Sequence, residues 1–251
     1  MTNLPIGMIV LMIVSALIFL GLAHRVLDRM KLSDKGALLV ILGLIVGSFI
    51  TIPLIRGNIA VSVNVGGALI PLGLVIYLVV TAGTTKERVR GLVGAVVTAL
   101  AIWGVGSLLQ GGFAVEPGGR FGFIDTLWLY PLIAGIVGYL TGRSRRSSFI
   151  SASLGVLLFD LGYYVWLLRQ GAPAGRVDIG GAGMFDAIVF SAIFAVLLAE
   201  VVGEIRERIA GGPSRKGKNK DLLQALRKPG VDIANQDLSN PQREEENKKH
   251  E

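Results

Sequence analysis

The sequence predicts an all-α membrane protein, a polytopic bundle of about seven transmembrane helices. Uncharged apolar stretches of near-spanning length recur along the chain, and a stretch of about 18 or more such residues is typical of a transmembrane helix. Hydrophobic residues make up 52% of the 251 residues. The 34 glycines suit helices that pack closely in lipid, where small residues allow backbones to approach one another.

The basic residues fall in alternate loops, and this pattern predicts the orientation of the helices. Over residues 1–210, twelve Lys and Arg fall in predicted inner segments and four in predicted outer segments. This positive-inside pattern places the N-terminus outside and the C-terminus in the cytoplasm. It also argues against nucleic acid as the partner, despite a formal net charge of +7. The inner positions are 25, 29, 31, 35, 86, 88, 90, 143, 145, 146, 206 and 208, and the outer positions are 56, 120, 169 and 176.

The first three predicted spans form one half of the chain, about 5–83. No basic residue precedes the first apolar stretch and Arg25 follows it, the reverse of a secretory signal, so we expect an uncleaved helix. The second span contains Gly43-x-x-x-Gly47, which is typical of closely packed helices. Pro71 in the first turns of the third span predicts a kinked or partly unwound entry. The spans are about 5–23, 36–55 and 66–83.

A connector helix and a second half complete the predicted transmembrane domain, 1–210. The connector, about 91–109, carries no charge and leads to the second half, about 125–203. Residues 211–251 are polar and rich in Lys and Arg, which predicts a disordered cytoplasmic tail. The spans of the second half are about 125–142, 148–168 and 183–203.

A short motif occurs twice and indicates that the two halves are repeats. Asn64-Val-Gly-Gly-Ala68 and Asp178-Ile-Gly-Gly-Ala182 each follow a polar loop and open an apolar stretch. The paired glycines are 114 positions apart, from Gly66 to Gly180. One connector lies between two sets of three spans, so the repeats are predicted to be parallel, related by a pseudo-twofold axis along the membrane normal.

The residues of this motif have two interpretations. The pairs Gly66–Gly67 and Gly180–Gly181 suit either close packing where the halves meet or unwound backbone that lines a cavity. Asn64 and Asp178 suit either the N-caps of the third and seventh helices or oxygen ligands facing that cavity.

Ionisable residues within the spans are confined to the second half. Asp160 lies in the sixth span, and Asp186 and Glu200 lie in the seventh. Such groups are costly in lipid and usually face the protein interior. Asp186 and Glu200 are 14 positions apart, which at about 100° per residue places them within about 40° on one helix face. Tyr164 lies on the same side of its helix as Asp160 and is a candidate hydrogen-bond donor to it.

We therefore expect binding and translocation of an ion or small solute through an acidic cavity between the repeats. Protons and hard cations are the ligands that such oxygen-rich sites prefer. The lipid bilayer is the other expected partner, and no metal or cofactor is expected. The candidate residues are Asn64, Gly66, Gly67, Asp160, Asp178, Gly180, Gly181, Asp186 and Glu200.

The absence of cysteine excludes several kinds of chemistry. Thiolate nucleophiles, disulfides and Cys-ligated zinc or iron–sulfur sites all require that residue. The chain has two histidines, His24 and His250, which disfavours a Ser–His dyad or an H-E-x-x-H zinc site.

Two aspartates on successive spans suggest an alternative function. Phe159-Asp160 and Gly181-Ala-Gly-Met-Phe-Asp186 resemble the paired-aspartate segments of intramembrane aspartyl proteases such as presenilin. The resemblance covers the sixth and seventh spans and implies that Asp160 and Asp186 activate water as acid and base. Met184 stands where that family's Gly-x-Gly-Asp has its acid. A third alternative is an accessory membrane protein without transport or catalysis.

Residues 1–212 as a whole resemble DUF1614, an uncharacterised family of prokaryotic integral membrane proteins. The resemblance implies a multi-pass protein of the prokaryotic cytoplasmic membrane and supplies no activity. The segments that carry it are Gly21-Leu-Ala-His-Arg-Val-Leu-Asp-Arg29, Val65-Gly-Gly-Ala-Leu-Ile-Pro71, Gly142-Arg-Ser-Arg-Arg146, Gly180-Gly-Ala-Gly-Met-Phe-Asp186 and Leu197-Leu-Ala-Glu-Val-Val-Gly-Glu204.

Overall fold

Most of the described chain is helical, with a small β-sheet among the helices. The structure is a computed structural model that describes residues 6–30, 32–110 and 126–209. The predicted tail, 211–251, lies outside these residues. The elements are α1 Ile6–Arg29, α2 Asp34–Gly47, β1 Thr51–Ile55, β2 Ile59–Asn64, a π-helix Val65–Leu69, α3 Ile70–Val80, α4 Thr85–Gln110, α5 Thr126–Gly142, α6 Arg145–Arg169, β3 Gly175–Ile179, a 3₁₀ turn Gly183–Phe185 and α7 Ala187–Ile209.

The contacts of the backbone divide the chain into two units, Met1–Glu204 and Ile205–Glu251. The first unit contains all of these elements except the end of α7. The described residues of the second unit are 205–209, the end of α7.

Local sequence explains where several helices begin. Ser33 and Ser144 precede α2 and α6, and each side chain accepts a hydrogen bond from a backbone N–H of the first turn. Pro71, which has no N–H to donate, lies in the first turn of α3, where that helix joins the preceding helical turns. The π-helix Val65–Leu69 precedes that turn. The irregular entry that Pro71 predicted is therefore present.

A three-stranded sheet corrects the all-α prediction. β1 pairs antiparallel with β2, and β2 pairs parallel with β3. The second predicted span, 36–55, is wrong in its outer part, because α2 ends at Gly47 and β1 begins at Thr51. Pro53 has no N–H to donate within a helix, and it lies instead on an edge strand.

The two faces of the sheet have different surroundings. Val63 and its partner Ile179 are buried, whereas Ser62 and its partner Asp178, one position earlier, point to the opposite face. The buried face belongs to an apolar cluster that includes Leu167 of α6. One face of the sheet therefore packs against the second half of α6, and the other face is polar.

Small and hydroxyl-bearing residues lie where α4, α5 and α6 pack together. A Cβ placed on Gly138 of α5 would lie 2.7 Å from the Cβ of Ala152 on α6, so the two backbones approach closely. The Ser151 hydroxyl is 3.2 Å from that of Thr98 and 2.9 Å from that of Thr141. Interhelical hydrogen bonds and small contact residues are typical of helices packed within membranes.

Three of the described helices are long and apolar enough to cross a membrane. Their exposed faces carry large apolar side chains, including Val96 and Leu100 on α4. Helices of this length and composition, with large apolar side chains on their exposed faces, indicate a membrane protein. The three segments are Thr85–Leu108, Arg145–Arg169 and Ala187–Arg206, and the shorter apolar helical segments are Val65–Val80 and Leu129–Gly142.

Candidate functional site

The two copies of the glycine motif meet in one place, which we call the glycine junction (Gly66, Gly67, Gly180 and Gly183). A Cβ on Gly67 would overlap the carbonyl oxygen of Gly180 and lie 2.7 Å from that of Gly183. A Cβ on Gly180 would lie 2.6 Å from the backbone nitrogen of Ala68. These are contacts with backbone atoms, which cannot move aside as a side chain can. The geometry favours close packing as the role of these glycines.

The two copies adopt different backbone conformations. The first forms the π-helix Val65–Leu69, which continues into α3. The second turns through Gly180 and Gly183, whose φ angles of 69° and 62° favour glycine. Within the sheet, Ser62 pairs with Asp178, a separation of 178 − 62 = 116 positions against 114 for the motifs. The paired strands are therefore offset by two residues from the motif alignment.

Asn64 joins three segments at the glycine junction. Its side-chain oxygen accepts a hydrogen bond from the N–H of Gly67 at 2.9 Å, which caps the helical turns that lead to α3. Its amide group donates to the carbonyl of Ser48 and to the hydroxyl of Thr51. The Ser48 hydroxyl in turn accepts from the N–H of Met184 at 2.7 Å, beside the second motif. Asn64 is buried and fully engaged, so its capping interpretation holds.

Asp178 lies on the polar face of the sheet and does not cap a helix. Its carboxylate accepts a hydrogen bond from the Ser62 hydroxyl and pairs with Arg176, whose Nε lies 2.6 Å from it. Partial burial acts to raise the pKa of Asp178, but the Ser62 and Arg176 contacts outweigh it and lower the pKa. Because α6 packs on the other face, the sheet separates Asp178 from Asp160.

Asp186 caps α7 in place of Asp178. One carboxylate oxygen accepts from the N–H of Ile188 at 3.0 Å, and the other from the N–H of Ala182 at 3.2 Å. The Asp186 carbonyl also accepts the first helical hydrogen bonds, from Val189 and Phe190. The side chain therefore ties the turn after the glycine junction to the start of α7.

Phe159 of α6 packs against the same apolar cluster as Ala187, the residue that follows Asp186. Asp160 is the next residue of α6. It is nine positions before Arg169, about 14 Å from the outer end of the helix. Within the described residues, no hydrogen bond or ion pair reaches its carboxylate, and neither Tyr164 nor Arg169 provides one. The structure thus brings together the two aspartates of the sixth and seventh helices.

Glu200 is separate from this pair. It lies 14 positions after Asp186 along α7, about 21 Å away at 1.5 Å per residue, and its side chain is buried. Gly181 is exposed beside Asp178 and lies outside the glycine junction. The nine candidate residues therefore divide into Asn64 and three glycines at the packing junction, an outward-facing Asp178 with the exposed Gly181 beside it, the Asp160–Asp186 pair and a distant Glu200.

Sequence reasoning missed Ser48 and Ser62, which connect the two motifs. Both hydrogen bonds cross between segments more than 110 positions apart in the sequence. A signal for Ser62 was present, because Ile59–Asn64 alternates apolar and polar or small side chains with the period of a strand. Ser48 follows Gly47 at the end of α2 and carries no comparable signal.

A protein-family model identifies the chain. The model of DUF1614, a family described as a protein of unknown function, matches residues 18–198. The chain belongs to this family. No curated protein and no solved structure matches the chain. The matched region contains both glycine motifs and both aspartates of the pair, and family membership assigns no activity to them.

Proposed function

We propose that this DUF1614 protein binds a proton or a small cation, or a small solute carrying one, at the Asp160–Asp186 pair and moves it across the membrane. The observation that carries the proposal is that the segments bearing these two aspartates pack against one apolar cluster, through Phe159 of α6 and Ala187 of α7. An ionisable group within a membrane span is costly, and such groups commonly mark ion pathways or proton relays.

The chemistry of the pair suits a singly charged ligand. Two neighbouring carboxylates repel each other, and a shared proton or a bound cation relieves that repulsion. Within the described residues, no group of three or more His, Cys, Asp or Glu side chains is placed to hold a metal. A tightly held divalent ion usually requires more oxygen ligands than two carboxylates provide. A proton or a monovalent cation is therefore the ligand we favour.

The proposed pathway opens toward the outside through the turn that precedes α7. Asp186 lies at the end of this turn, and non-helical backbone at membrane depth is tolerated where it is buried in protein or lines a cavity. The glycine junction holds the turn against α2 and the π-helix. We propose that the junction holds the turn before α7 in a fixed position and that the Asp160 carboxyl group faces it as a binding group.

The proposed architecture is seven spans in two parallel three-helix repeats joined by α4. The parallel pairing of β2 and β3 supports it, because β2 leads to α3 and β3 leads to α7, the last helices of the two proposed repeats. The distribution of basic residues supports an N-terminus outside and a C-terminus in the cytoplasm of a prokaryotic cell.

Intramembrane aspartyl proteolysis is the second candidate, and the same pair of aspartates favours it. A dyad that activates water needs two carboxyl groups on one water molecule. Both oxygens of Asp186 already accept backbone N–H groups, which restricts the orientation of its carboxylate. We therefore place ion binding first. An accessory role without either activity is the third candidate.

Flux into proteoliposomes tests the proposal. Proton entry is followed with an enclosed pH-sensitive dye and Na⁺ entry with radioactive sodium, for wild type, Asp160→Asn and Asp186→Asn. Asparagine keeps the capping oxygen at position 186, so the helix start is preserved. Loss of a charged ligand is expected to lower flux roughly tenfold or more.

Asp178→Asn is the matched control, because it removes the same charge on the other face of the sheet. Flux that survives in both pair variants would refute the pathway. Cleavage of a co-expressed membrane substrate, lost in both variants while wild type shows no flux, would favour the protease. Absence of flux and cleavage in wild type would leave the accessory role.

A further inference from the structure

A cleft of about 460 Å³ lies where α4 and α6 begin and α5 ends. It is a different site from the acidic pair, because Arg145 at its edge is 15 positions before Asp160 on α6, about 22 Å away. Its charged and polar lining consists of Glu87, Arg143, Ser144, Arg145 and Arg146. Three guanidinium groups against one carboxylate make the cleft electropositive.

Two of the three arginines have no partner within the described part of the chain. Arg146 donates to the carbonyl of Met30 and, at 3.1 Å, to that of Thr81, so it links the end of α1 to the loop after α3. Arg143 and Arg145 make no such hydrogen bond or ion pair. Their charges are available to a ligand that enters the cleft.

The carboxylate of the cleft is already engaged and does not neutralise these arginines. Glu87 accepts a hydrogen bond from the Ser144 hydroxyl at 2.9 Å, and the backbone carbonyl of Glu87 accepts from Ser147 at 3.0 Å. Among the described residues, Glu87 forms no ion pair. It therefore fixes the turn between α5 and α6, and its single negative charge offsets only one of the three guanidinium charges.

The backbone of Arg143 adds an independent observation. It follows the end of α5 with a φ of 60°, and it is the only residue other than glycine with a positive φ in the described chain. Glycine is the residue usually found at this position after a helix, because a side chain there is sterically costly. An arginine at such a position places its charge at the mouth of the cleft despite that cost.

Exposed apolar side chains close in sequence to the cleft residues indicate the kind of anion that the cleft suits. Val80, Leu140 and Val201 lie close in sequence to the cleft residues and are 68%, 59% and 51% exposed. A soluble anion would leave this apolar surface exposed, whereas the acyl chains of a lipid would cover it. We propose that the cleft binds the phosphate of an anionic phospholipid headgroup, with Arg143 and Arg145 as its charged ligands. Basic pockets between membrane helices are suited to this task.

Native mass spectrometry of the detergent-purified full chain tests the assignment, with phosphatidylglycerol and phosphatidylcholine of identical acyl chains as probes. Wild type is expected to prefer phosphatidylglycerol. Arg143→Gly and Arg145→Gln should each weaken phosphatidylglycerol binding by about fivefold, without a change for phosphatidylcholine. Glycine relieves the backbone at position 143, so a folding defect does not explain a loss there.

Arg169→Gln is the charge-matched control at the other end of α6, and it should bind as wild type does. Glu87→Gln removes the one negative charge of the cleft and should tighten phosphatidylglycerol binding. Equal binding of the two lipids by wild type, or an unchanged Arg143→Gly/Arg145→Gln double variant, would overturn the proposal. Displacement of phosphatidylglycerol by millimolar inorganic phosphate, sensitive to the same substitutions, would assign the cleft to a soluble anion instead.

Discussion

Gly67→Ala is the substitution that most directly tests the glycine junction. The added methyl group would overlap the carbonyl oxygen of Gly180 and lie 2.7 Å from that of Gly183. Both contacts are with backbone, so relief requires that the π-helix and the turn after β3 separate. Overpacking of this kind costs typically 1–3 kcal/mol, and we expect about 3 kcal/mol because neither neighbour is a side chain.

The magnitude converts into a measurable shift of the thermal midpoint. For a unit of about 200 residues, 1 kcal/mol corresponds to roughly 2–4 °C, so Gly67→Ala should lower the midpoint by about 6–12 °C. The assay is tryptophan fluorescence during heating of the protein in detergent. Gly73→Ala is the matched control, because a Cβ at Gly73 in α3 meets no atom within 4 Å. Alanine should stabilise that helix by about 0.5–1 kcal/mol. Equal midpoints for Gly67→Ala and wild type would refute the argument from backbone contact.

Three further interactions are probed by the same assay. Asn64→Ala leaves the N–H of Gly67 without its acceptor and should destabilise by about 1–3 kcal/mol, whereas Asn64→Asp, which keeps a capping oxygen, should cost less; an unchanged midpoint for Asn64→Ala would contradict the capping role. Asp178 has a pKa below its ordinary value of 3.8. The ionised side chain therefore adds to the free energy of unfolding above pH 3.8, and this addition is lost as the pH falls through the lowered pKa. Because Arg176 is largely exposed, the loss should stay under about 1 kcal/mol, and Asp178→Asn should remove this part of the pH dependence; the same acid sensitivity in the variant would exclude Asp178 as its source. Ser151→Ala should cost about 1 kcal/mol and should make a second substitution, Thr98→Val, nearly neutral, because the two hydroxyls share one hydrogen bond; fully additive losses would show that they act independently.

The long helices were predictable because apolar composition is a local property. α5 and α6 begin and end within three residues of the predicted spans, and each follows from a long, predominantly apolar stretch. The ends of α2 and α3 were not predictable in this way. Residues 48–55 are apolar enough to extend α2, and only their pairing with residues 59–64 makes them a strand. That pairing is a tertiary contact, which a reading for helical stretches does not detect.

In the candidate site, too, roles decided by local sequence were easier to predict than roles decided by tertiary contacts. Of the two interpretations of Asn64, cap or cavity ligand, the structure has the cap, and the sequence offered it because an N-cap is decided by the few residues that follow it. Asp178 was expected to share a cavity with Asp186, yet the two-residue period of β3 directs it to the opposite face from α6. The side-chain direction depends on the strand, and the strand was missed. Asp160 and Asp186 were proposed together from their positions on successive helices, and the residues next to them, Phe159 and Ala187, pack against one apolar cluster.

Cross-linking tests the central claim, that Asp160 and Asp186 share one site, most directly. The chain has no cysteine, so Asp160→Cys and Asp186→Cys can be introduced together without other changes. In native membranes, oxidation or a short bifunctional thiosulfonate reagent should join this pair, and the pair Asp160→Cys with Asp178→Cys should remain unjoined because the sheet lies between them. Cysteines that react singly at positions 160 and 186 but are never joined would contradict the account.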